Sequence, residues 1–371
     1  MESNGVKWVR LGDYIEQCDE RNTAGSNYPV IGINRDKTFM PTVANLDGVD
    51  IAKYKIVSKG MFVFSGMQTG RDICIRIGLY DKDQPALISP AYTTFFINKE
   101  NDVLPEYFFM YFNRDESDRY GWFISDSSVR ANLDWPRFLD IEIPLPSVAE
   151  QQKVVNAWRA FREIKVQNEA KAAPLMQLCQ SYIQELKHKY PMQEIGPYIH
   201  RIDERNTDNK IKEVRSVSVS KNFNATNAKV DKNNLSNYKI VRENQISFVQ
   251  TTGNEKCLCA AINHLGFPIV VTSVNEVFET DEKYLLADYL HLIFRRTETD
   301  RYARFNSWGS ARETFTWEDM TRFAIPLPSI EVQQAIVNIY KCANEAKLIA
   351  EEADRLSREV CPALLQHVIH S

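Results

Sequence analysis

Two stretches of the chain carry apolar side chains at alternating intervals of three and four residues. The first stretch has them at Val154, Ala157, Phe161, Ile164, Leu175, Leu178 and Tyr182. The second has them at Ile336, Ile339, Ala343, Ala346, Ala350, Ala353, Val360 and Leu364. This spacing, kept over several heptads, is typical of helices that pair along their length. It predicts long helices at about 147–189 and 329–369.

The segments that precede these helices have a different pattern. Residues 1–142 and 191–324 contain short runs rich in β-branched and aromatic residues, separated by Gly, Asn and Asp. Such runs predict strands joined by turns. One helix is predicted within each segment, at Pro105–Phe112 and at Ala287–Phe294. Each segment is therefore expected to form an α/β (α+β) globular domain.

The junction between each globular segment and its helix has almost the same sequence in both places. IPLPSVAEQQKVV occupies residues 143–155, and IPLPSIEVQQAIV occupies residues 325–337. Shorter motifs also recur in the same order and at nearly the same offset, namely DERNT (19–23 and 203–207) and YKIV (54–57 and 238–241). The ordered matches indicate an internal pseudo-twofold repeat of about 183 residues.

The ends and interiors of the predicted helices contain recognisable signals. Ser147 and Glu150 match a capping box, and Ser329 can cap the second helix. Pro174 and Pro362 lie inside the helical patterns. Because proline removes a backbone hydrogen bond from a helix interior, we expect kinks or interruptions there.

These signals predict the domain organisation of the chain. We expect the two helices to pair as an antiparallel coiled-coil spacer. The expected order is a globular domain at 1–146, a central helix at 147–190, a second globular domain at 191–328 and a C-terminal helix at 329–371.

Composition and charge narrow the possible functions. Of the 371 residues 44% are apolar, and 45 Lys and Arg against 49 Asp and Glu give a net charge of −4. A uniformly basic nucleic-acid binder is therefore not expected, so a DNA-contacting surface would have to be local or completed by a partner. The first residues lack the apolar region of a signal peptide, and no apolar run is long enough to span a bilayer. We expect a cytoplasmic protein that has no membrane partner.

The sequence has none of the catalytic or metal-binding motifs that we considered. An adenine-methylase signature, Asp or Asn followed by two prolines and an aromatic residue, is missing, and so is a phosphate-binding P-loop. Among seven cysteines only Cys257 and Cys259 are close in sequence, which is a poor zinc signature. We expect no enzymatic activity, no metal site and no cofactor in this chain.

The repeated organisation resembles the DNA-specificity (S) subunit of type I restriction-modification systems. The resemblance covers the whole chain, and the motifs that carry it are the two IPLPS…QQ junctions, DERN, YKIV and the Ser-x-Arg motifs at 128–130 and 310–312. It implies two target-recognition domains, each reading half of a bipartite, asymmetric site in double-stranded DNA. It also implies docking of two methylation (M) subunits and association with a restriction (R) subunit. The chain would then direct adenine methylation and restriction in defence against foreign DNA, without a catalytic centre of its own.

Two other functions are compatible with the sequence. The chain could be the specificity module of a type IIB or IIG restriction-modification enzyme, in which one fused partner combines nuclease and methylase. It could also be a coiled-coil scaffold whose α/β domains bind proteins. A pull-down that yields one combined nuclease-methylase would favour the first. A reconstituted complex that modifies no specific adenine would favour the second.

Residues that differ between the two copies are the candidates for base reading, because identical positions serve the shared fold, docking or phosphate contact. The loop after MFVFS contains Gln68 and Arg71, and its counterpart contains Gln250 and Asn254. Arg pairs well with guanine, and Gln or Asn with adenine, in the major groove. A hairpin turn selected only for its backbone angles would leave a similar sequence.

Two further segments supply DNA-binding candidates. In the divergent stretches INRDKTF (33–39) and VSKNFNA (219–225), the expected groove-facing residues are Arg35, Lys37, Lys221 and Asn222. The Ser-x-Arg motifs, which lie in polar loops, supply Ser128, Arg130, Ser310 and Arg312. The invariant pair Arg21 and Arg205 is expected either to stabilise the fold or to contact phosphates.

Overall fold

A computed structural model of the protein describes residues 6–67, 69–126, 131–226, 229–251, 257–309 and 313–370. The chain packs into two compact units. Residues 1–167 and 349–371 form the first unit, and residues 168–348 form the second unit. Each unit therefore combines one globular segment with parts of both long helices.

The elements of the first unit follow the predicted mixture of strands and helices. The strands are β1 (Lys7–Arg10), β2 (Ile15–Cys18), β3 (Val30–Ile33), β4 (Phe39–Pro41), β5 (Lys55–Val57), β6 (Phe62–Ser65), β7 (Arg76–Leu79), β8 (Ala86–Ile88), β9 (Thr93–Ile97) and β10 (Glu142–Leu145). The helices are α1 (Thr69–Asp72), α2 (Pro105–Phe112), α3 (Asp115–Ile124), α4 (Trp135–Leu139) and the first part of α5 (Val148–Lys189). Short 3₁₀ turns occur at Leu11–Asp13 and Ile51–Lys53.

The second unit contains a similar series of elements. Its strands are β11 (Met192–Glu194), β12 (Ile199–Ile202), β13 (Arg215–Val217), β14 (Phe223–Ala225), β15 (Lys239–Val241), β16 (Ile246–Val249), β17 (Ala260–Ile262), β18 (Ile269–Val271), β19 (Asn275–Thr280) and β20 (Ala324–Pro326). Its helices are α6 (Ala287–Phe294), α7 (Thr297–Phe305), α8 (Trp317–Thr321) and the first part of α9 (Ile330–His370), with a 3₁₀ turn at Gly196–Tyr198. The predicted helices at Pro105–Phe112 and Ala287–Phe294 are confirmed as α2 and α6.

One antiparallel sheet has the same strand order in both units. It is β2-β9-β6-β7 in the first unit and β12-β19-β16-β17 in the second. The register also agrees, because Phe64 lies opposite Thr93 in the first unit and Phe248 lies opposite Glu276 in the second. In addition, β1 pairs with β10 and β11 pairs with β20, so each strand that leads into a long helix has an antiparallel partner. The remaining strands form a sheet of order β4-β3-β8-β5 in the first unit and the pairs β13-β14 and β15-β18 in the second.

Aromatic side chains fill the core beneath these sheets. In the first unit Phe62 and Phe95 are fully buried and stack with 5.0 Å between ring centroids, and Phe108 of α2 meets Phe62 edge-on. In the second unit Phe248 and Phe278 are equally buried, with 6.2 Å between centroids. The β-rich runs of the sequence therefore form strands whose apolar faces cover a helix.

Each unit packs part of α5 against part of α9. In the first unit Val154 and Trp158 share a core with Leu365, and Lys165 Nζ lies 2.7 Å from Asp354 Oδ1. In the second unit the buried residues Cys179 and Ile183 of α5 share a core with Ile336 and Val337 of α9. The N-terminal part of one helix thus packs against the C-terminal part of the other within each unit.

Two sequence predictions about the long helices need correction. Ile164 and Leu178 were expected in the apolar seam, but their exposed fractions are 40% and 51%. Residues such as Trp158 and Cys179 are buried instead. Helical structure also continues through Pro174 and Pro362, so the interruption that was one of the two expected outcomes does not occur, and the kink stays a prediction. None of the helices in the described part of the chain is long and apolar enough to cross a membrane.

His291 gives the second unit a pH-dependent stability. The side chain lies in α6, is 8% exposed and places Nε2 3.0 Å from the carbonyl oxygen of Lys221. Burial lowers the pKa of His291 to about 4. The unfolded pKa is near 6.5, so between these values the unfolded chain binds the proton more tightly. The second unit should therefore lose up to about 3 kcal/mol as the pH falls through this range.

The substitution His291→Phe should remove most of that pH dependence, because phenylalanine cannot be protonated. Phe109 occupies the matching position of α2, so the repeat itself accommodates this side chain. We expect the urea midpoint of the second unit to fall between pH 6.5 and 4 in the wild type and to fall much less in the variant. Urea unfolding at several pH values, followed by hydrogen exchange in α6, measures the difference. An equal fall in both proteins would contradict the prediction.

Candidate nucleic-acid interface

The described residues include six of the predicted DNA-binding positions, of which Arg71 is described by its backbone only. Arg35 and Asn222 are exposed, Gln250 is half-buried, and Lys37 and Lys221 are buried. Arg71 lies within α1, but its side chain is outside the described part of the structure. The other candidates, Gln68, Ser128, Arg130, Asn254, Ser310 and Arg312, lie outside the described residues.

A backbone hydrogen bond joins the flanks of two predicted DNA-contact segments in each unit. In the first unit the amide of Leu133, after the 127–130 segment, donates to the carbonyl oxygen of Gly66 at 3.0 Å. In the second unit the amide of Phe315, after the 310–312 segment, donates to the carbonyl oxygen of Gln250 at 2.8 Å. The first residue after β6 or β16 is therefore hydrogen-bonded to a residue three positions beyond the Ser-x-Arg motif.

The close approach at Gly66 explains the glycine there. A Cβ atom at this position would lie 1.7 Å from the carbonyl oxygen of Leu133, which no packing adjustment of side chains could relieve. The matching position in the second unit is Gln250, whose side chain is accommodated and donates from Nε2 to Glu276 Oε1 at 2.6 Å. The two units therefore share the backbone junction but present different chemical groups beside it.

A buried lysine connects the third predicted DNA-contact segment of the first unit, residues 33–39, to helices α2 and α3. Lys37 is 5% exposed, and its Nζ donates to both carboxylate oxygens of Asp118, at 2.8 and 2.9 Å, and to the carbonyl oxygen of Phe112. Asp118 Oδ1 also accepts from the amide of Ile75 at 2.8 Å. The β3–β4 turn, the end of α2 and the residue before β7 are thereby held together. We call this arrangement of Lys37, Asp118 and Ile75 the first lysine latch.

The second unit contains an equivalent arrangement, the second lysine latch. Lys221 Nζ lies 2.7 Å from Asp300 Oδ1 and also donates to the carbonyl oxygen of Phe294. Asp300 Oδ1 accepts from the amide of Leu258 at 3.0 Å. Even the backbone agrees, because Lys37 and Lys221 have φ values of 60° and 62°, which non-glycine residues seldom adopt.

The lysine latches correct the prediction that Lys37 and Lys221 face a DNA groove. Both ammonium groups are buried and engaged by a carboxylate and a helix carbonyl, so neither can reach a base. Burial raises the pKa of Asp118 even though Lys37 lies beside it, so burial opposes the ionisation of this carboxyl group. The partners Asp118 and Asp300 were overlooked, although SDRY and TDRY placed them at matching positions of the repeat.

The invariant arginines after β2 and β12 also have internal partners. Arg21 donates to Asp19 Oδ2 at 2.7 Å and to the carbonyl oxygen of Lys53. Arg205 lies 2.7 Å from Asp203 and donates to the carbonyl oxygen of Asn237. These contacts favour the structural interpretation of this pair.

The repeated junction motif joins each globular segment to its long helix through a buried glutamine. Gln151 Oε1 accepts from the amide of Leu104 at 2.9 Å, and its Nε2 donates to the carbonyl oxygens of Asp102 and Pro146 at 2.8 and 2.9 Å. Gln333 repeats the three bonds with Leu286, Tyr284 and Pro328 at 2.9, 2.8 and 2.9 Å. Both side chains are 0% exposed.

A buried tyrosine reinforces each junction. Tyr107 Oη donates to the carbonyl oxygen of Pro144 at 2.8 Å, and Tyr289 Oη donates to that of Pro326 at 2.9 Å. Burial raises the pKa of both phenols, which keeps them protonated as donors. A tyrosine of α2 or α6 therefore donates a hydrogen bond to the carbonyl group of a junction proline in each unit.

Taken together, these features define a class of protein. Each unit is an α/β domain that carries parts of both long helices. In each unit a backbone hydrogen bond fixes the first residue after β6 or β16, and a lysine latch fixes the turn at Lys37 or Lys221. Within the described residues, no group of His, Cys, Asp and Glu side chains has the geometry of a metal site.

Comparison with solved structures identifies where this fold occurs. The S subunit of the type I restriction-modification system from M. genitalium covers 99% of this chain with 96% of its own length, at a TM-score of 0.65 and 11% sequence identity. The chain has the fold of type I restriction-modification S subunits.

Two further structures match over nearly the whole chain. A structure that concerns complex assembly and conformational transition of the type I R-M system has a TM-score of 0.44, 14% identity and coverage of 100% of this chain and 99% of its own. The HsdS subunit from Thermoanaerobacter tengcongensis has a TM-score of 0.40, 15% identity and coverage of 99% and 97%. The fold assignment rests on the first structure alone. No protein-family model and no curated protein matches the chain.

Proposed function

We propose that this chain is the non-catalytic DNA sequence-specificity subunit of a type I restriction-modification complex. Each globular domain reads one half of a bipartite, asymmetric target in double-stranded DNA. The observation that carries the proposal is a frame of hydrogen bonds that both units repeat, although the side chains beside it differ, as Gly66 and Gln250 do. A protein that reads two different half-sites needs a shared scaffold with variable contact residues.

The domain boundaries given by the sequence are part of this proposal. The target-recognition domains are 1–146 and 191–328, and the spacer helices are 147–190 and 329–371. The helix packing within each unit, in which Lys165 pairs with Asp354 and Cys179 packs near Ile336, supports an antiparallel coiled coil. The repeated junctions built on Gln151 and Gln333 support an internal pseudo-twofold duplication of about 183 residues.

The proposed partners supply the chemistry that this chain does not. Two methylation subunits bind the paired helices and methylate adenines, and a restriction subunit cleaves foreign DNA. The net charge of −4 fits an adaptor whose phosphate contacts are largely made by such partners. Among the predicted positions, Arg35, Arg71, Asn222 and Gln250 are retained as DNA contacts, together with Gln68, Ser128, Arg130, Asn254, Ser310 and Arg312.

The proposal is tested by co-expressing the chain with its methylation subunit and mapping methylated adenines by long-read sequencing. We expect a split motif with one methylated adenine on each strand. Replacing residues 1–142 with the same segment of a related subunit should change only one half of the motif. A continuous palindrome, or a change in both halves, would refute independent reading by two domains. Recovery of a single fused nuclease-methylase as the partner would favour the type IIB or IIG alternative.

A further inference from the structure

A buried carboxylate organises a polar cluster that the second unit has and the first unit lacks. Glu276 of β19 is 4% exposed. Arg201 of β12 donates to it from Nε at 2.8 Å and from Nη2 at 2.6 Å. Gln250, directly after β16, donates from Nε2 at 2.6 Å, and Lys239 Nζ lies 3.2 Å away. Donors from β12, from β15 and from the residue after β16 thus surround one carboxylate.

The strand pairing around this cluster is the same in both units, but different residues occupy the cluster positions in the first unit. In the strand register of the second unit Arg201 lies opposite Phe278. In the first unit Gln17 lies opposite Phe95, so Gln17 corresponds to Arg201. The register also places Glu276 opposite Phe248, as Thr93 lies opposite Phe64. The three variable positions are therefore Arg201, Glu276 and Gln250 in the second unit, and Gln17, Thr93 and Gly66 in the first.

The invariant members of the frame are sufficient to keep the fold. Lys239 and Lys55 are both buried and both face the aspartate of the DERN motif, with Nζ–Oδ1 distances of 3.6 and 2.9 Å. Trp317, which lies 5.9 Å from the Arg201 guanidinium, corresponds to Trp135. Because the first unit folds around Thr93 without a carboxylate there, the cluster in the second unit requires an explanation beyond core packing.

The hydrogen bonds of Arg201 and Gln250 leave base-reading groups available. Glu276 occupies the Nε and Nη2 edge of the guanidinium, so the Nη1 and Nη2 edge retains donors, and the Arg201 side chain is 49% exposed. Gln250 is half-buried and uses one Nε2 proton on Glu276. Its second Nε2 proton and its Oε1 have no hydrogen-bond partner among the described residues.

The carboxylate remains ionised and therefore keeps both side chains in place. Burial raises the pKa of Glu276, but the hydrogen bonds from Arg201 and the charge of Lys239 more than offset this effect and hold the pKa below its usual value. A guanidinium fixed on one edge by a carboxylate loses little side-chain entropy when its other edge binds a ligand.

We infer that Arg201 and Gln250 are the base-reading pair of the second unit and that Glu276 is the residue that positions both. By their hydrogen-bonding groups, Arg201 selects a guanine and Gln250 selects an adenine in the major groove of one half-site. The first unit presents Gln17 and Gly66 at these places, so it reads a different half-site. This inference rests on the proposed DNA-reading function.

The test uses the full chain co-expressed with its methylation subunits. Gln250→Ala should relax discrimination at one position of one half-motif by about 5- to 150-fold, and Arg201→Ala should do so at a second position of the same half. Glu276→Gln, which keeps the shape but removes the charge, should weaken both positions. The other half-motif should stay unchanged in every variant and serves as an internal measure of a folded complex.

The matched control is Arg242→Ala. Arg242 makes a similar two-bond pair with Glu204 in the same unit, at 2.8 and 2.5 Å, and this pair does not include the Glu276 carboxylate. This variant should leave the motif intact. If Gln250→Ala and Arg201→Ala also leave it intact, or weaken both halves together, the inference fails. If the wild-type complex has no split motif at all, the proposed function fails instead. Should Arg201→Ala lower the thermal stability of the second unit, Gln250→Ala alone decides the outcome.

Discussion

Replacing Gln151 with leucine should destabilise the first unit by about 3 to 6 kcal/mol, because three backbone groups would lose their partners inside the protein. The amide of Leu104 and the carbonyl oxygens of Asp102 and Pro146 all bond to this one fully buried side chain. Leucine has a similar size but cannot form any of the bonds. A loss of this size is a large fraction of the stability of a typical domain. Urea unfolding, with hydrogen exchange at residues 102–104, measures the effect.

The adjacent Gln152 provides a matched control for this prediction. Among the described residues its side chain bonds to Asn156 Oδ1 alone, at 2.7 Å on the helix surface, so Gln152→Leu should change the stability by about 0.5 kcal/mol or less. Gln333→Leu should repeat the large effect in the second unit, with Gln334→Leu as its control. Equal losses for Gln151 and Gln152 would show that the junction does not depend on the buried glutamine. In the reconstituted complex, Gln151→Leu should weaken one half-motif and Gln333→Leu the other.

Removing Lys221 from the second lysine latch should cost about 3 to 5 kcal/mol, because Lys221→Met leaves the carboxylate of Asp300 without its cation. The Lys221 side chain is only 6% exposed, and that of Asp300 is 24% exposed. Adding Asp300→Leu should restore much of this stability, since no unpaired charge then remains. The double variant should nevertheless fail to restore reading of its half-motif, because the amide of Leu258 has lost its acceptor.

This combination separates stability from positioning. Urea unfolding of the single and double variants gives the coupling energy, and motif mapping gives the recognition. Lys210→Met is the control, since the Lys210–Asp208 pair has a similar distance of 2.7 Å but an 81% exposed lysine. We expect a change below about 1 kcal/mol for that surface pair. Full recognition by the stabilised double variant would show that the lysine latch acts through stability only.

The sequence predicted the broad organisation because its strongest signals are local. The junction motif, the 3–4 spacing and the caps predicted helix starts at about 147 and 329, and the helices begin at Val148 and Ile330. The predicted seam was wrong at Ile164 and Leu178, because it assumed one uniform partner. In fact α5 packs against both a globular core and α9, so the buried face follows both partners.

The interior contacts of the candidate interface are non-local, and the sequence pattern does not contain them. A lysine in a polar turn is ordinarily exposed, yet Lys37 pairs with Asp118, 81 positions away. The Arg201 cluster joins residues from three strands and was also missed. For Lys37 the sequence did contain a signal, because its partner Asp118 has an identical counterpart, Asp300, in the second copy. In SDRY and TDRY only the neighbouring arginine was considered. For Arg201 the signal was a difference between copies, which only strand register makes visible.

The composition of the first unit has a consequence for biosynthesis. Its core includes Cys361, Leu365, Val368 and Ile369, which are translated after the whole of the second unit, a continuous segment at 168–348. Roughly 200 residues separate Gln167 from these side chains, so at 5–20 residues per second the first unit waits roughly 10–40 s for them. The first unit therefore completes its core only after the second unit has been translated. A premature stop between residues 349 and 360 would remove core residues of the domain that is encoded first.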